Sequence, residues 1–534
     1  MNTNPNRFWA VVIMLGWSFD FLFWKKPFGI NFAIFITLVI LTGILLLRTH
    51  GLRLSRRSGL LLLPIAFFAA MTFIRLEPMT AFLSVSMALF LMGIFALTYV
   101  NGEWIRYTLL DYVFGYLRLV GSMLARPLGF IAENRRLASE RPEGEKRSTR
   151  IWSILRGVVI ALPIIAVFAS LLSSADPVFA SRFKDFVDLF KIDNLPEYIF
   201  RLVYILILAY LIAGTFLHAV QKSDEAVEEK IWLSPFLGFT ESAIVLGSLV
   251  ILFIAFVVIQ FQYFFSGQAN ISIEGYTYSE YARKGFGELV AVAFFSLLLL
   301  LGLGAITRRE TENQRWTFSG FGIGLVGLVI VMLVAAFQRL NLYEMAYGFS
   351  RLRTYTQVFM IWLGLLLVAV VIFEALRRER LVGLGMLVAS LGFVISLNLL
   401  NVDAFIVNQN VQREIRGATD QVFSRGRADL DAQYFVGLSD DAIPALVGAF
   451  HSKSMPIAVQ EKIGAALVCK QYDRKQDTRT YPWQSFHFSR WNADRQLNSL
   501  KKELDTYKII NKDWPVQVET PGGGKFPCYQ YYND

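Results

Sequence analysis

Runs of about 20 mostly apolar residues recur along most of the chain, and no other feature limits its fold so strongly. A helix of that length crosses the hydrocarbon core of a bilayer, where each backbone amide must find its partner inside the helix itself. Eleven runs qualify: Phe8 to Trp24, Phe28 to Leu47, Leu60 to Ile74, Met79 to Val100, Ile151 to Leu172, Ile199 to Leu217, Phe236 to Phe261, Glu288 to Ile306, Phe318 to Phe337, Tyr355 to Leu376 and Leu381 to Leu400. The first is an anchor and not a cleaved signal, because Asp20, Trp24 and Lys25 stand where small residues would mark the cleavage site. Hydrophobic residues make up 55% of the chain and charged ones 18%, more apolar surface than a soluble protein can hide.

The formal net charge of +10 does not indicate nucleic acid. That partner needs Lys and Arg gathered on one solvated face, whereas here they punctuate hydrophobic runs. Topology explains them better. Cytoplasmic loops collect basic residues, and Arg48, Arg53, Arg56 and Arg57, then Arg308, Arg309 and Arg315, then Arg377, Arg378 and Arg380 fall into one set of loops. Trp104 to Ile131 is also apolar but carries Arg106, Asp111, Arg118 and Arg126, with Asp111, Arg118 and Ser122 spaced to share one helix face. Read as an interfacial helix, it leaves the basic run Arg135 to Arg150 in the cytoplasm, facing anionic lipid headgroups. The N-terminus is then cytoplasmic, and an odd number of spans puts everything after Asn401 outside.

The expected organisation is four helices in residues 1–100, the interfacial helix and basic loop in 101–150, about seven helices in 151–402, and a soluble, mostly helical domain in 403–534. In that domain Ser439 with Asp440 and Asp441 reads as an N-cap, and Pro456 to Cys469 and Trp483 to Tyr507 have amphipathic helical spacing. Pro521, Gly522, Gly523, Gly524 and Lys525 mimic a phosphate-binding loop, but Phe526 stands where a Mg²⁺-binding hydroxyl is needed, so a turn is the better reading. Cys469 and Cys528 are the two cysteines; outside the cytoplasm they can bond, and a bonded pair and two free thiols both remain open.

Several stretches carry a resemblance: Ser174-Ala175-Asp176-Pro177-Val178-Phe179, Gly275 through Phe286, and Leu342-Tyr343 with Ser350-Arg351-Leu352-Arg353-Thr354-Tyr355. So do Asp20-Phe21-Leu22-Phe23 with Pro27-Phe28-Gly29, and Asn401-Val402-Asp403-Ala404 with Leu430-Asp431 and Ser439-Asp440-Asp441-Ala442. Up to about Leu446 the chain resembles bacterial membrane proteins catalogued as domain of unknown function 4153, or the closely related 4173. The resemblance implies a helix-rich protein of a bacterial plasma membrane and supplies no catalytic residue.

Ionisable groups in or beside spans are candidate functional residues because lipid penalises them by a few kcal/mol or more. Asp20, Arg156, Glu241, Glu288 and Glu374 all lie near helix ends, where anchoring suffices to explain them. Pro163 and the trio Gly320, Gly322 and Gly324 read either as helix interruptions or as close packing. Asp176, Glu280, Arg283, Tyr343, Arg351 and Arg353, with Lys284, come from three loops assigned to the outer face; they form either a polar ligand pocket or ion pairs that pin the loops. His50, His218, His451 and His487 are scattered, so no zinc site is expected, and no Gly-x-Ser-x-Gly elbow supports a hydrolase. No cofactor or metal is expected. The fold expected is all-α, a polytopic bundle of about eleven transmembrane helices with a small extracytoplasmic domain. It is read first as a non-enzymatic envelope sensor, assembly or scaffold protein that binds an envelope protein or lipid-linked ligand. The alternative is a transporter, or an enzyme acting on lipid-linked phosphate or sugar. For that alternative the many helices and external module resemble multi-spanning membrane glycosyltransferases, and the resemblance implies a catalytic acid in a substantial first external loop, whereas here only Lys25, Lys26 and Pro27 separate the first two runs.

Overall fold

The computed structural model describes residues 5–139, 194–221, 235–265, 286–378, 380–419, 429–511 and 516–529, with scattered residues between 157 and 183. Among the described residues nine helices are long and apolar enough to cross a membrane. The expected span Ile151 to Leu172 lies largely outside the described residues, as do Arg156 and Pro163. The expected first span is helical, α1 (Pro5–Phe23), though it is not among the nine. The chain forms two compact units.

One unit contains α1, the second half of α2 (Ile30–Thr49), most of α5 (Leu109–Ser139) and α6 (Leu195–Gln221). Helices α1 and α6 approach closely because Gly16 has no side chain: a Cβ there would stand 2.6 Å from the Ile205 carbonyl oxygen. Asp20, buried at 2% exposure, sits one turn further along and takes a two-pronged ion pair from Arg201, Nε at 2.8 Å, plus the Tyr204 hydroxyl. Trp24 closes the array by donating to Glu197 at 2.7 Å. The anchoring role expected for Asp20 thus has a specific partner on another helix, Arg201.

The larger unit holds α3 (Leu62–Ile74), α4 (Pro78–Thr98), α7 (Phe239–Phe265), α8 (Phe286–Ile306), α9 (Glu312–Tyr347), α10 (Arg351–Ala375) and α11 (Leu381–Leu400). Helices α7 to α10 share a core built on Leu246, Leu289, Leu325, Val329, Leu340 and Leu367. At 36 residues, α9 is about 54 Å long, well beyond a hydrocarbon core of about 30 Å. It runs unbroken through Gly320, Gly322 and Gly324, which removes the interruption reading. Gly320 and Gly324 face open space and Gly322 alone meets a neighbour, Leu300, so the small-residue pair does not mark a helix contact. Glu374, on α10, is held by Arg309 at 3.6 Å and the Ser319 hydroxyl at 2.6 Å, not by its sequence neighbours Arg377 and Arg378. Glu241 accepts the Gly238 amide at 2.7 Å and so caps the start of its own helix.

The stretch Trp104 to Ile131 becomes a short 3₁₀ turn, Glu103–Arg106, followed by α5, which continues eight residues past Ile131 into the basic run. Its first turns pack on the C-terminal part of α4, Tyr116 stacking on Phe90 at 5.2 Å. Its later turns pack on α6 and α1, where Ser122 meets His218 at 2.8 Å and Phe130 meets Phe8 at 5.2 Å.

After α11 the chain turns at Asn401, whose positive φ of 52° suits Asn better than most residues, and enters α12 (Val402–Thr419) without a linker. The C-terminal domain follows with α13 (Ala432–Val436), α14 (Ile443–Phe450), α15 (Ile457–Gln476), α16 (Phe488–Ser499) and α17 (Lys501–Leu504). It ends in a three-stranded antiparallel sheet absent from the sequence-based expectation: β1 (Lys508–Asn511), β2 (Gln517–Glu519) and β3 (Lys525–Pro527), in the order β1-β2-β3. The glycine run before Lys525 is the β2–β3 turn, closed by Thr520 N–H to Gly524 carbonyl at 2.8 Å, with Gly523 at φ 81°. Cys528, just after β3, is disulfide-bonded to Cys469 of α15, with 5.4 Å between the Cα atoms.

The domain is not a tethered module. One hydrophobic core runs from Leu397 in α11 through Val402, Ile406, Phe435, Leu446 and Leu467 to Cys528, and Leu83 of α4 and Tyr355 and Val358 of α10 pack against it.

Candidate functional site

Where the membrane helices end and the domain begins, a connected set of buried polar groups replaces the apolar packing. Helix α4 opens with Glu77-Pro78: the carboxylate caps the helix by accepting Met79 N–H at 3.0 Å and Thr80 N–H at 2.7 Å, and proline occupies the first turn, where no amide is needed. Glu77 is 2% exposed and also accepts the Tyr355 hydroxyl from α10. Arg351, at the start of α10, lies 3.9 Å from Glu77 and makes a two-pronged ion pair with Asp403, Nε to Oδ1 at 2.8 Å and Nη2 to Oδ2 at 2.7 Å. Asp403, fully buried in the first turn of α12, accepts in addition the Ser439 N–H at 2.6 Å.

A second carboxylate extends the set. Asp441 accepts the backbone N–H groups of Leu76 at 2.7 Å and Glu77 at 2.9 Å, so a domain side chain satisfies the turn between α3 and α4. Burial pushes the Asp441 carboxyl above its ordinary pKa, the hydrogen bonds it accepts pulling the other way. Arg75 donates to the Asn398 carbonyl at 2.8 Å, and the Asn398 amide bonds Ser84. Asn410 on α12 brackets the α9–α10 turn, accepting Phe349 N–H at 2.7 Å and donating to the Phe349 carbonyl at 3.0 Å. Behind these groups Lys470, 7% exposed, donates to the carbonyls of Val436 at 3.1 Å and Leu438 at 2.5 Å, capping α13. Desolvation lowers its pKa to about 8.

Of the six residues expected to form an outward cluster, the structure brings two together, Tyr343 and Arg353. Arg353 lies over the Tyr343 ring, 4.0 Å from its centroid, and donates to the Gly348 carbonyl. Arg351, two residues earlier and therefore on nearly the opposite side of α10, turns to Asp403. Asp176 belongs to the other unit, where its exposed carboxylate accepts Val178 N–H at 2.8 Å. Glu280 and Arg283, like Lys284, lie outside the described residues. Sequence reasoning missed Glu77 as the cap and Asp403 and Asp441 as the acids. The Glu-Pro helix start was a usable signal for the first, while Asp403 stood only among the residues that carried the family resemblance and Asp441 there and beside the Ser439 cap.

In chemical terms the network is closed on itself: each carboxylate holds backbone amides or an arginine fork. No group of three His, Cys, Asp or Glu among the described residues is placed to hold a metal ion. The arrangement fixes helix ends to a domain.

Spanning helices with a domain grown into their ends define a polytopic, integral α-helical membrane protein. The chain belongs to the family described as Domain of unknown function (DUF4153), which matches residues 62–449. That stretch contains Glu77, Arg351, Asp403 and Asp441, while the disulfide and the sheet lie beyond it. No curated protein and no solved structure matches the chain.

Proposed function

We propose that this chain is a non-catalytic scaffold of a bacterial plasma membrane, serving envelope assembly or sensing, whose helices hold the C-terminal domain in a fixed pose outside the cytoplasm. The observation that carries this reading is the Arg351–Asp403–Glu77–Asp441 network: charges at the domain junction are spent on joining elements. A domain meant to swing or to process a substrate gains nothing from being fixed at four helix ends. The Cys469–Cys528 bond supports the extracytoplasmic placement, since disulfides persist in oxidising compartments.

A second reading, a transporter or an enzyme handling a lipid-linked phosphate or sugar, draws on one feature. A crevice of about 380 Å³ opens between α7, α8 and α9, with Phe253, Leu289 and Met332 on its walls and Gln260, Glu288 and Arg339 at its polar end. That size suits a small ligand or a lipid chain. Native mass spectrometry of the purified full-length protein separates the two readings. The scaffold reading expects the bare chain with loosely held phospholipid, and a one-to-one polyprenyl-phosphate or sugar-lipid species overturns it in favour of the second.

A further inference from the structure

The C-terminal domain carries a ridge of aromatic side chains that contact with water does not explain. Trp483 is 60% exposed, Phe486 40%, Phe488 44% and Trp491 47%, and the last two rings lie 5.7 Å apart. Contiguous exposed aromatics on a domain with a well-filled core indicate a surface that meets something apolar.

Two attachments fix where the ridge lies. The Phe486 carbonyl accepts the backbone N–H of Ile30 at 3.0 Å, and Ile30 is the first residue of the spanning helix α2. The Ser485 hydroxyl donates to the Pro27 carbonyl at 2.9 Å. Gly29 permits this contact, since a Cβ there would stand 2.6 Å from the Phe486 carbonyl oxygen. On the other flank α16 packs on α3, which ends at Ile74. The ridge is therefore level with the ends of two spanning helices, the depth at which Trp and other amphipathic rings gather at a bilayer surface. Phe28, 58% exposed, adds a ring from the chain leading into α2.

The exposed face of α16 changes character along its length. It begins with Phe488 and Trp491 and continues with Asp494 and Arg495, the Arg495 guanidinium lying 5.9 Å from the Trp491 ring. Phe488 and Arg495 are about 10 Å apart along the axis, enough to span a headgroup layer of about 5–8 Å. Lys501 and Lys502, both exposed, follow.

We propose that this ridge seats in the headgroup–acyl boundary of the adjoining leaflet, so that the domain is itself a membrane contact with phospholipid as its partner. Through Phe28 the exposed rings run on to the start of the spanning helix α2, which Phe486 contacts directly, and this continuity favours lipid over a protein partner.

The test uses the full-length protein in phosphatidylcholine vesicles. Its two native cysteines are bonded to each other, so single-cysteine variants Phe488→Cys and Trp491→Cys, with Lys502→Cys as the solvated control, can be labelled with an environment-sensitive fluorophore. A lipid nitroxide placed near the acyl carbonyl is expected to quench the 488 and 491 probes by about twofold or more and the 502 probe weakly, with aqueous iodide giving the reverse order. Iodide reaching all three probes equally, without nitroxide quenching, overturns the proposal. Shielding of 488 and 491 from both quenchers also overturns it, because a protein surface then covers the ridge.

Discussion

Arg351 decides whether the domain junction holds. It faces two acids, Asp403 at 2.7 Å and Glu77 at 3.9 Å, each exposed by no more than 2%. Removing the cation leaves those carboxylates buried and uncompensated, a defect that costs about 3–5 kcal/mol. Arg351→Gln is therefore expected to lower the apparent unfolding temperature and the yield of monodisperse protein, whereas Asp176→Asn, at an exposed site where Asn keeps the acceptor for Val178, changes stability by less than about 0.5 kcal/mol. Wild-type melting of Arg351→Gln, read by size exclusion after a temperature ramp, defeats the fixed-domain reading. A second residue gives the domain a pH signature. Lys470 has a folded pKa of about 8 against an ordinary value of 10.5. Between those values the unfolded chain binds more protons than the folded one, so stability rises with pH across that window, by on the order of 3 kcal/mol, and is flat for this group below it. Denaturation at pH 7.5 and 10 is expected to show that gain in the wild type and to lose it in Lys470→Met; equal gains in both rule Lys470 out as the source.

Elements were legible in the sequence wherever lipid dictates them. An apolar run that must satisfy its own backbone has helix as its one open-ended solution, and the nine described spans, α2 to α4 and α6 to α11, follow the expected runs. Their extensions were hidden. Helix α9 passes the expected end at Phe337 by ten residues because Arg339 and Glu344 interrupt the apolar run while each finds a partner, Gln260 at 2.8 Å and Gln357. The small sheet escaped notice because strands of three and four residues are too short to display alternation. In the domain, periodicity located α15 and α16, and the Ser439 cap is present, its hydroxyl accepting Asp441 N–H at 3.3 Å. The site was half legible: Arg351, Arg353 and Tyr343 stood out as polar residues beside spans, but their partners did not. Asp403 is 52 positions from Arg351 and Glu77 is 278 from Tyr355, and pairing over such separations leaves no local trace in the sequence.

At the scale of the whole molecule the proposal turns on sidedness, and two independent observations bear on it. In the larger unit the C-terminal ends of α9 and α11 and the N-terminal end of α10 meet the domain, while Arg308, Arg309, Arg315, Arg377, Arg378 and Arg380 flank the opposite ends of the same helices. Basic residues accumulate on the cytoplasmic side, which supports the proposed placement of the domain on the other. The Cys469–Cys528 bond closes a loop across 59 positions and is worth roughly 4 kcal/mol in chain entropy, a stabilisation that a reducing cytoplasm would remove. A protease-cleavable tag placed after Asp534 is accordingly expected to be cut in intact cells, with both cysteines blocked to thiol reagents until reductant is added. A protected tag together with free thiols reverses the assignment: α5 then crosses the bilayer, the domain faces the cytoplasm, and the junction network secures an internal platform in place of an external one. A protected tag with bonded cysteines contradicts the redox argument and overturns the use of the disulfide as a marker of side, so the two readouts check each other in a single preparation.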